Sequence, residues 1–146
     1  MSRFPASALA ALLCLCCTAG CSLLSAQPKR GTLAAKMMNL SAAVESYFSE
    51  LPGPPRDMED KDILELATEH DHDLLAGEFR CFQLKVEYQA GHAVLLLCSK
   101  DGSRALMEDV GCSAPLDRKA FDKDLPCAFT LKVNAACEVE GATDPE

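Results

Sequence analysis

The chain has 146 residues, a formal net charge of −8 and nine cysteines, with no tryptophan and only 5% aromatic side chains. Such a length suits one small domain able to bury a real core. The acidity argues against nucleic acid or an anionic lipid surface as partner, and the few aromatic rings weaken carbohydrate-stacking and aromatic-cage readings.

Arg3 is the only positive side chain ahead of an apolar run from about Ala6 to Cys17. Roughly 12 residues suffice for the core of a secretory signal, whereas a bilayer span needs about 20. The run ends in Thr18-Ala19-Gly20-Cys21-Ser22. That junction resembles the bacterial lipoprotein signal, or lipobox, with Thr18 standing where the lipobox usually has an aliphatic residue. The resemblance implies cleavage of the Gly20–Cys21 bond, lipidation of Cys21 and attachment to the membrane through it. Ser22 fits onward export to the outer membrane, with the domain in the periplasm. The resemblance covers these 22 residues and implies nothing about the fold beyond them. Acyl chains buried at about 0.8 kcal/mol per CH₂ would make such an anchor effectively permanent. The alternative is plain secretion, with cleavage near Ala19-Gly20 or Ser25-Ala26. Loss of the segment ahead of Cys21 removes Arg3 and no acidic group, so the charge of the remainder becomes −9.

Residues 22–31 carry Ser, Gln, Pro, Lys, Arg and Gly without periodicity and read as a flexible tether. The domain proper is expected over 32–137. Thr32 suits an N-cap for a helix to about Leu51, with Leu33, Met37, Leu40, Val44, Tyr47 or Phe48, and Leu51 on one stripe. Pro52-Gly53-Pro54-Pro55 ends it. A second helix is expected from Met58 to Leu75, with Ile63, Leu66 or Ala67, Leu74 and Leu75 facing the core and Gly77 as a left-handed stop.

Within that second helix lies Glu69-His70-Asp71-His72-Asp73, the most chemically suggestive patch. His70, His72 and Asp73 are candidate ligands for a divalent cation. On a helix, however, residues two apart point about 200° from each other, and Glu69 with His72 or Asp73 gives two ligands where structural zinc takes four. A solvated acidic helix end is the simpler reading.

From Glu78 the period changes to two. Phe82, Leu84, Val86 and Tyr88 alternate with Gln83, Lys85 and Glu87, giving a half-buried strand. After Gln89-Ala90-Gly91, the run from His92 through Ala93–Cys98 suits a central strand covered on both sides. Asp101-Gly102 predicts a two-residue hairpin turn into a third strand from Arg104 to about Asp109. A short helix over 117–123, a fourth strand over 127–133 and a disordered acidic tail over 138–146 complete the expectation. The fold class is therefore α+β: two N-terminal helices packed on a four-stranded antiparallel sheet, a meander plus one strand.

Five cysteines lie beyond the signal, and in an exported protein they should be partly bridged. A hairpin turn near Gln89-Ala90 would set Cys81 opposite Cys98, and Cys112 and Cys127 would flank the short helix. The expected bridges are thus Cys112–Cys127 and Cys81–Cys98, with Cys137 left over. There is no Cys-x-x-Cys, no Gly-x-Ser-x-Gly and no His-Glu-x-x-His. Glu108 and Asp109, adjacent on a strand, point to opposite faces and make no acid–base pair. His92, beside a turn, reads as a solvated strand end. The sequence points to a lipid-anchored envelope lipoprotein with a non-catalytic binding or accessory structural role and no cofactor, meeting a protein partner in the envelope. Alternatives are metal or small-ligand binding at His70–Asp73, or a small hydrolase without a recognisable motif.

Overall fold

The computed structural model describes residues 30–53, 55, 57–121 and 123–142. The signal segment, Cys21, the start of the expected tether and the last four residues lie outside that set. The fold is α+β. Helix α1 spans Arg30–Glu50 and α2 spans Asp60–Ala67. Three full strands follow: β1 Gln83–Gln89, β2 His92–Cys98 and β3 Arg104–Val110. Four two-residue strands close the order: β4 Arg118–Lys119, β5 Leu125–Pro126, β6 Lys132–Val133 and β7 Val139–Glu140.

The three long strands form the expected antiparallel meander, with β2 in the centre. Both β4 and β5 pair with the outer edge of β3, so the main sheet has five strands rather than four. β6 and β7 make a separate two-stranded ribbon. The meander follows from composition. The apolar run Ala93–Cys98 is fully buried, and an apolar strand is stable only where both faces are covered.

The two faces are covered differently. α1 lays Leu33, Met37, Leu40, Val44 and Phe48 over Ala93, Leu95, Leu97 and Met107, with Ile63 and Leu64 of α2 and Phe79 completing that cluster. Thr32 lies inside α1 rather than capping it, because the helix already includes Arg30. On the opposite face, Val94 and Val110 pack with Leu131 and Val133, while Leu96, Cys98 and Ala105 meet Leu125, Cys127 and Phe129.

Several expectations are corrected. The second helix stops at Ala67; the buried Thr68 hydroxyl donates back to the Leu64 carbonyl at 2.8 Å. The exposed, acidic Glu69–Asp73 stretch has no apolar surface to bury and sets negative charge at the helix C-terminus, where the macrodipole opposes it. The chain instead takes two 3₁₀ turns, His72–Leu74 and Gly77–Cys81. Leu64, not Leu66, faces the core; Leu66 is 46% exposed.

The β2–β3 connection keeps its glycine, at φ 71°, but it is longer than two residues. Ser99 N–H donates to the Arg104 carbonyl, and Asp101 accepts from the Ser99 and Ser103 hydroxyls. Those donors, with the Ser103 amide, draw the exposed Asp101 carboxyl down to about 2. No helix forms over 117–123, because Arg118 and Lys119 pair with Glu108 and Met107 at the sheet edge. The expected fourth strand over 127–133 shrinks to β6, and the residues expected to begin a disordered tail supply β7.

The disulfides also differ. Cys98 pairs with Cys127 and Cys112 with Cys137; Cys81 is disulfide-bonded too. The β1–β2 turn is centred on Ala90 and Gly91, both at positive φ, so Gln83 rather than Cys81 stands opposite Cys98. Cys98 then points away from the helices, into the face that Cys127 covers.

Candidate functional site

The residues with the most developed polar geometry gather where the C-terminal half of α1 meets the start of β2 and the end of β3. Gly111, just past β3, makes this approach possible. A Cβ there would fall 2.4 Å from the Ser41 carbonyl oxygen and 2.6 Å from Glu45 Cβ, distances that no side chain tolerates against helix backbone. With hydrogen in that place, Gly111 N–H reaches the Ala93 carbonyl at 2.9 Å, and Cys112 is delivered beside Glu45.

Glu45 is used on both oxygens. Oε1 is 2.7 Å from His92 Nδ1, and Oε2 accepts the Ala93 N–H at 2.7 Å. The two side chains are about one-fifth exposed, so the pair is accessible yet shielded. Cys112 Sγ completes a set of three ligand-type atoms, all within 4.8 Å of one another. In the oxidised chain that sulfur is tied to Cys137. His92 is therefore not a bare solvated strand end: it has a carboxylate partner and a sulfur neighbour. The sequence offered no local signal for this set, since its members are 20 to 67 residues apart and a single glycine makes the meeting possible.

Beneath lies a buried carboxylate network. Asp109, 1% exposed, accepts from the Ser41 hydroxyl and from the Asp117 N–H at 3.2 Å. Asp117 accepts from the Val110 N–H at 3.1 Å and from the Ser113 hydroxyl. Loss of solvent pushes Asp109 up to about 6; the hydrogen bonds from Ser41 and the Asp117 amide oppose that rise, and the neighbouring Asp117 charge adds to it. Glu108 faces the other way and accepts from the Thr130 amide at 2.6 Å and hydroxyl at 2.5 Å. As expected, the two carboxylates point to opposite faces of the sheet. Each is a structural acceptor with fixed donors.

The expected metal patch is placed differently. His70, His72 and Asp73 are all exposed, on the turn after α2 and the 3₁₀ turn that follows. Among the described residues, the group of three that could share an ion is Glu45, His92 and Cys112, and the patch is not drawn together in that way. A groove of about 230 Å³ beside α2 has an apolar floor that includes Leu64, Phe79 and Phe82, with Lys61 and Arg80 at its margin. Among the described residues, no helix is long and apolar enough to cross a membrane. Comparison with known proteins finds no matching family, no matching curated protein and no matching solved structure.

Proposed function

We propose that this protein is a lipid-anchored lipoprotein of the cell envelope whose α+β domain has a non-catalytic binding or accessory structural role. The observation that carries the reading is the Thr18-Ala19-Gly20-Cys21 junction directly behind a short apolar run. The disulfides Cys98–Cys127 and Cys112–Cys137 support export, because such bridges persist in oxidising, extracytoplasmic compartments, whereas the bridge at Cys81, whose partner lies outside the described residues, competes with lipidation if that partner is Cys21. The polar clusters support a non-catalytic role. Asp109, Asp117 and Glu108 spend their oxygens on internal donors, which suits holding a shape rather than exchanging protons with a substrate.

The helix apolar stripe is consumed by the domain's own core, so a protein partner would meet the acidic polar surface or the margin of the groove beside α2. Metabolic labelling with a fatty acid tests the anchor. The wild-type chain should carry label and Cys21→Ser should not, with the variant mislocalised or released in soluble form. Equal label on both chains would contradict the reading.

A further inference from the structure

We infer that Glu45, His92, Cys112 and Cys137 form a zinc site that opens when the Cys112–Cys137 disulfide is reduced. Three of the four ligand atoms already lie within 4.8 Å of one another. In a tetrahedral zinc site with bonds of about 2.0–2.3 Å, neighbouring ligands are roughly 3–4 Å apart, so the set has to close by only about 1 Å. The fourth ligand is supplied by the bridge itself. Cys137 Sγ is bonded to Cys112 Sγ, and their Cα atoms are 6.0 Å apart. Once the bond is cut, rotation of the two side chains about their own bonds sets both sulfurs on one ion.

The donor set is two thiolates, an imidazole and a carboxylate, the mixture of soft and borderline ligands that favours zinc over calcium or magnesium. The Ala93 N–H on Glu45 Oε2 fixes the carboxylate, which leaves Oε1 facing the site. With only about one-fifth of each side chain exposed, Glu45 and His92 meet limited competition from water while a way in remains. While the bridge is intact only two ligands are available, too few for tight binding. The redox state of one bond therefore decides whether the site exists.

The chemistry balances. A dithiol gives two electrons and two protons to the disulfide, producing the Cys112 and Cys137 thiols, and is itself oxidised to a cyclic disulfide. Zinc then displaces the two thiol protons and binds both sulfurs.

The test uses the purified full chain under oxygen-free conditions. The reductant is a phosphine, which takes its oxygen from water to become the phosphine oxide and does not compete for zinc as a dithiol would. Zinc is titrated against a chromophoric chelator before and after reduction. One zinc per reduced chain is expected, and none tightly held by the oxidised chain. His92→Ala and Glu45→Gln should each lower the affinity at least tenfold. In the wild-type reduced chain, zinc should shield Cys112 and Cys137 from alkylation, read by peptide mass spectrometry. Shielding of Cys98 and Cys127 instead would overturn the assignment. So would affinity unchanged by His92→Ala, or a reduced chain that takes up no zinc, folded or not.

Discussion

On one face of the β1–β3 sheet, a 21-residue helix sets five large apolar side chains at regular spacing over Ala93, Leu95, Leu97 and Met107. On the other face, residues 125–133 meet the sheet through one two-residue strand, β5, and separate side-chain anchors, while β6 lies in its own ribbon. Lys85 Nζ donates to the Cys127 carbonyl at 3.3 Å. Gln89 donates to the Leu131 carbonyl at 3.3 Å and accepts from the Val133 amide at 3.1 Å. Glu108 holds Thr130, and the two disulfides tie the segment to β2 and to the end of β3. The first face is held by apolar area, which is cooperative and carried by many residues. The second is held by a few specific bonds, so it should come apart piece by piece.

Removing apolar area should have the largest effect. Leu97 is fully buried beneath the helices, and Leu97→Ala should cost about 4 kcal/mol, seen as a lower urea midpoint for the whole domain. Removing a staple should cost slightly less and act locally. Cys112→Ser with Cys137→Ser opens a loop with a sequence separation of 25 residues, worth about 3.5 kcal/mol in the chain-entropy account. Hydrogen exchange should then quicken over 111–142 while α1 and β1–β3 stay protected. Uniform loss of protection would erase the distinction between the faces.

The smallest of the three effects is a pH dependence from Asp109. Its folded value, about 6, lies above the roughly 3.9 of an unfolded aspartate, so the unfolded chain loses this proton first. The group's contribution is therefore most favourable below about pH 4, falls as pH rises to about 6, and is level above. The total is on the order of 2–3 kcal/mol. Asp109→Asn should flatten that slope while keeping an acceptor for the Asp117 amide, and denaturant midpoints between pH 4 and 8 measure it. A slope that persists in the variant would assign the dependence to another group.

The same contrast explains what the sequence made legible. The α1 stripe, the alternation in β1 and the apolar run of β2 are local periodicities, and each names its own partner surface. The spacing of Leu74 and Leu75 continues a helical pattern across Glu69–Asp73, where helix has nothing to bury, so the pattern alone overextends α2. The second half was hidden for a different reason. Lys85 reads as the polar side of a half-buried strand, Gln89 as part of a turn and Glu108 as a strand carboxylate facing away from Asp109, yet they hold backbone 22 to 44 residues away. A side chain that satisfies a distant amide leaves no periodicity. The pairing of Cys98 turned on whether the first hairpin centres on Ala90-Gly91 or one residue earlier. The Glu45–His92–Cys112 set depended on the missing Cβ of Gly111, a contact that no spacing rule reveals.

The central claim, that this domain hangs from a lipid on Cys21, is tested most directly by the intact mass and N-terminal peptide of the protein isolated from its producing cell. The account predicts a chain that begins at Cys21 and carries added acyl mass on that residue, with Cys98–Cys127 and Cys112–Cys137 present in non-reducing maps. A chain that begins elsewhere, or begins at Cys21 with an unmodified thiol, would contradict it.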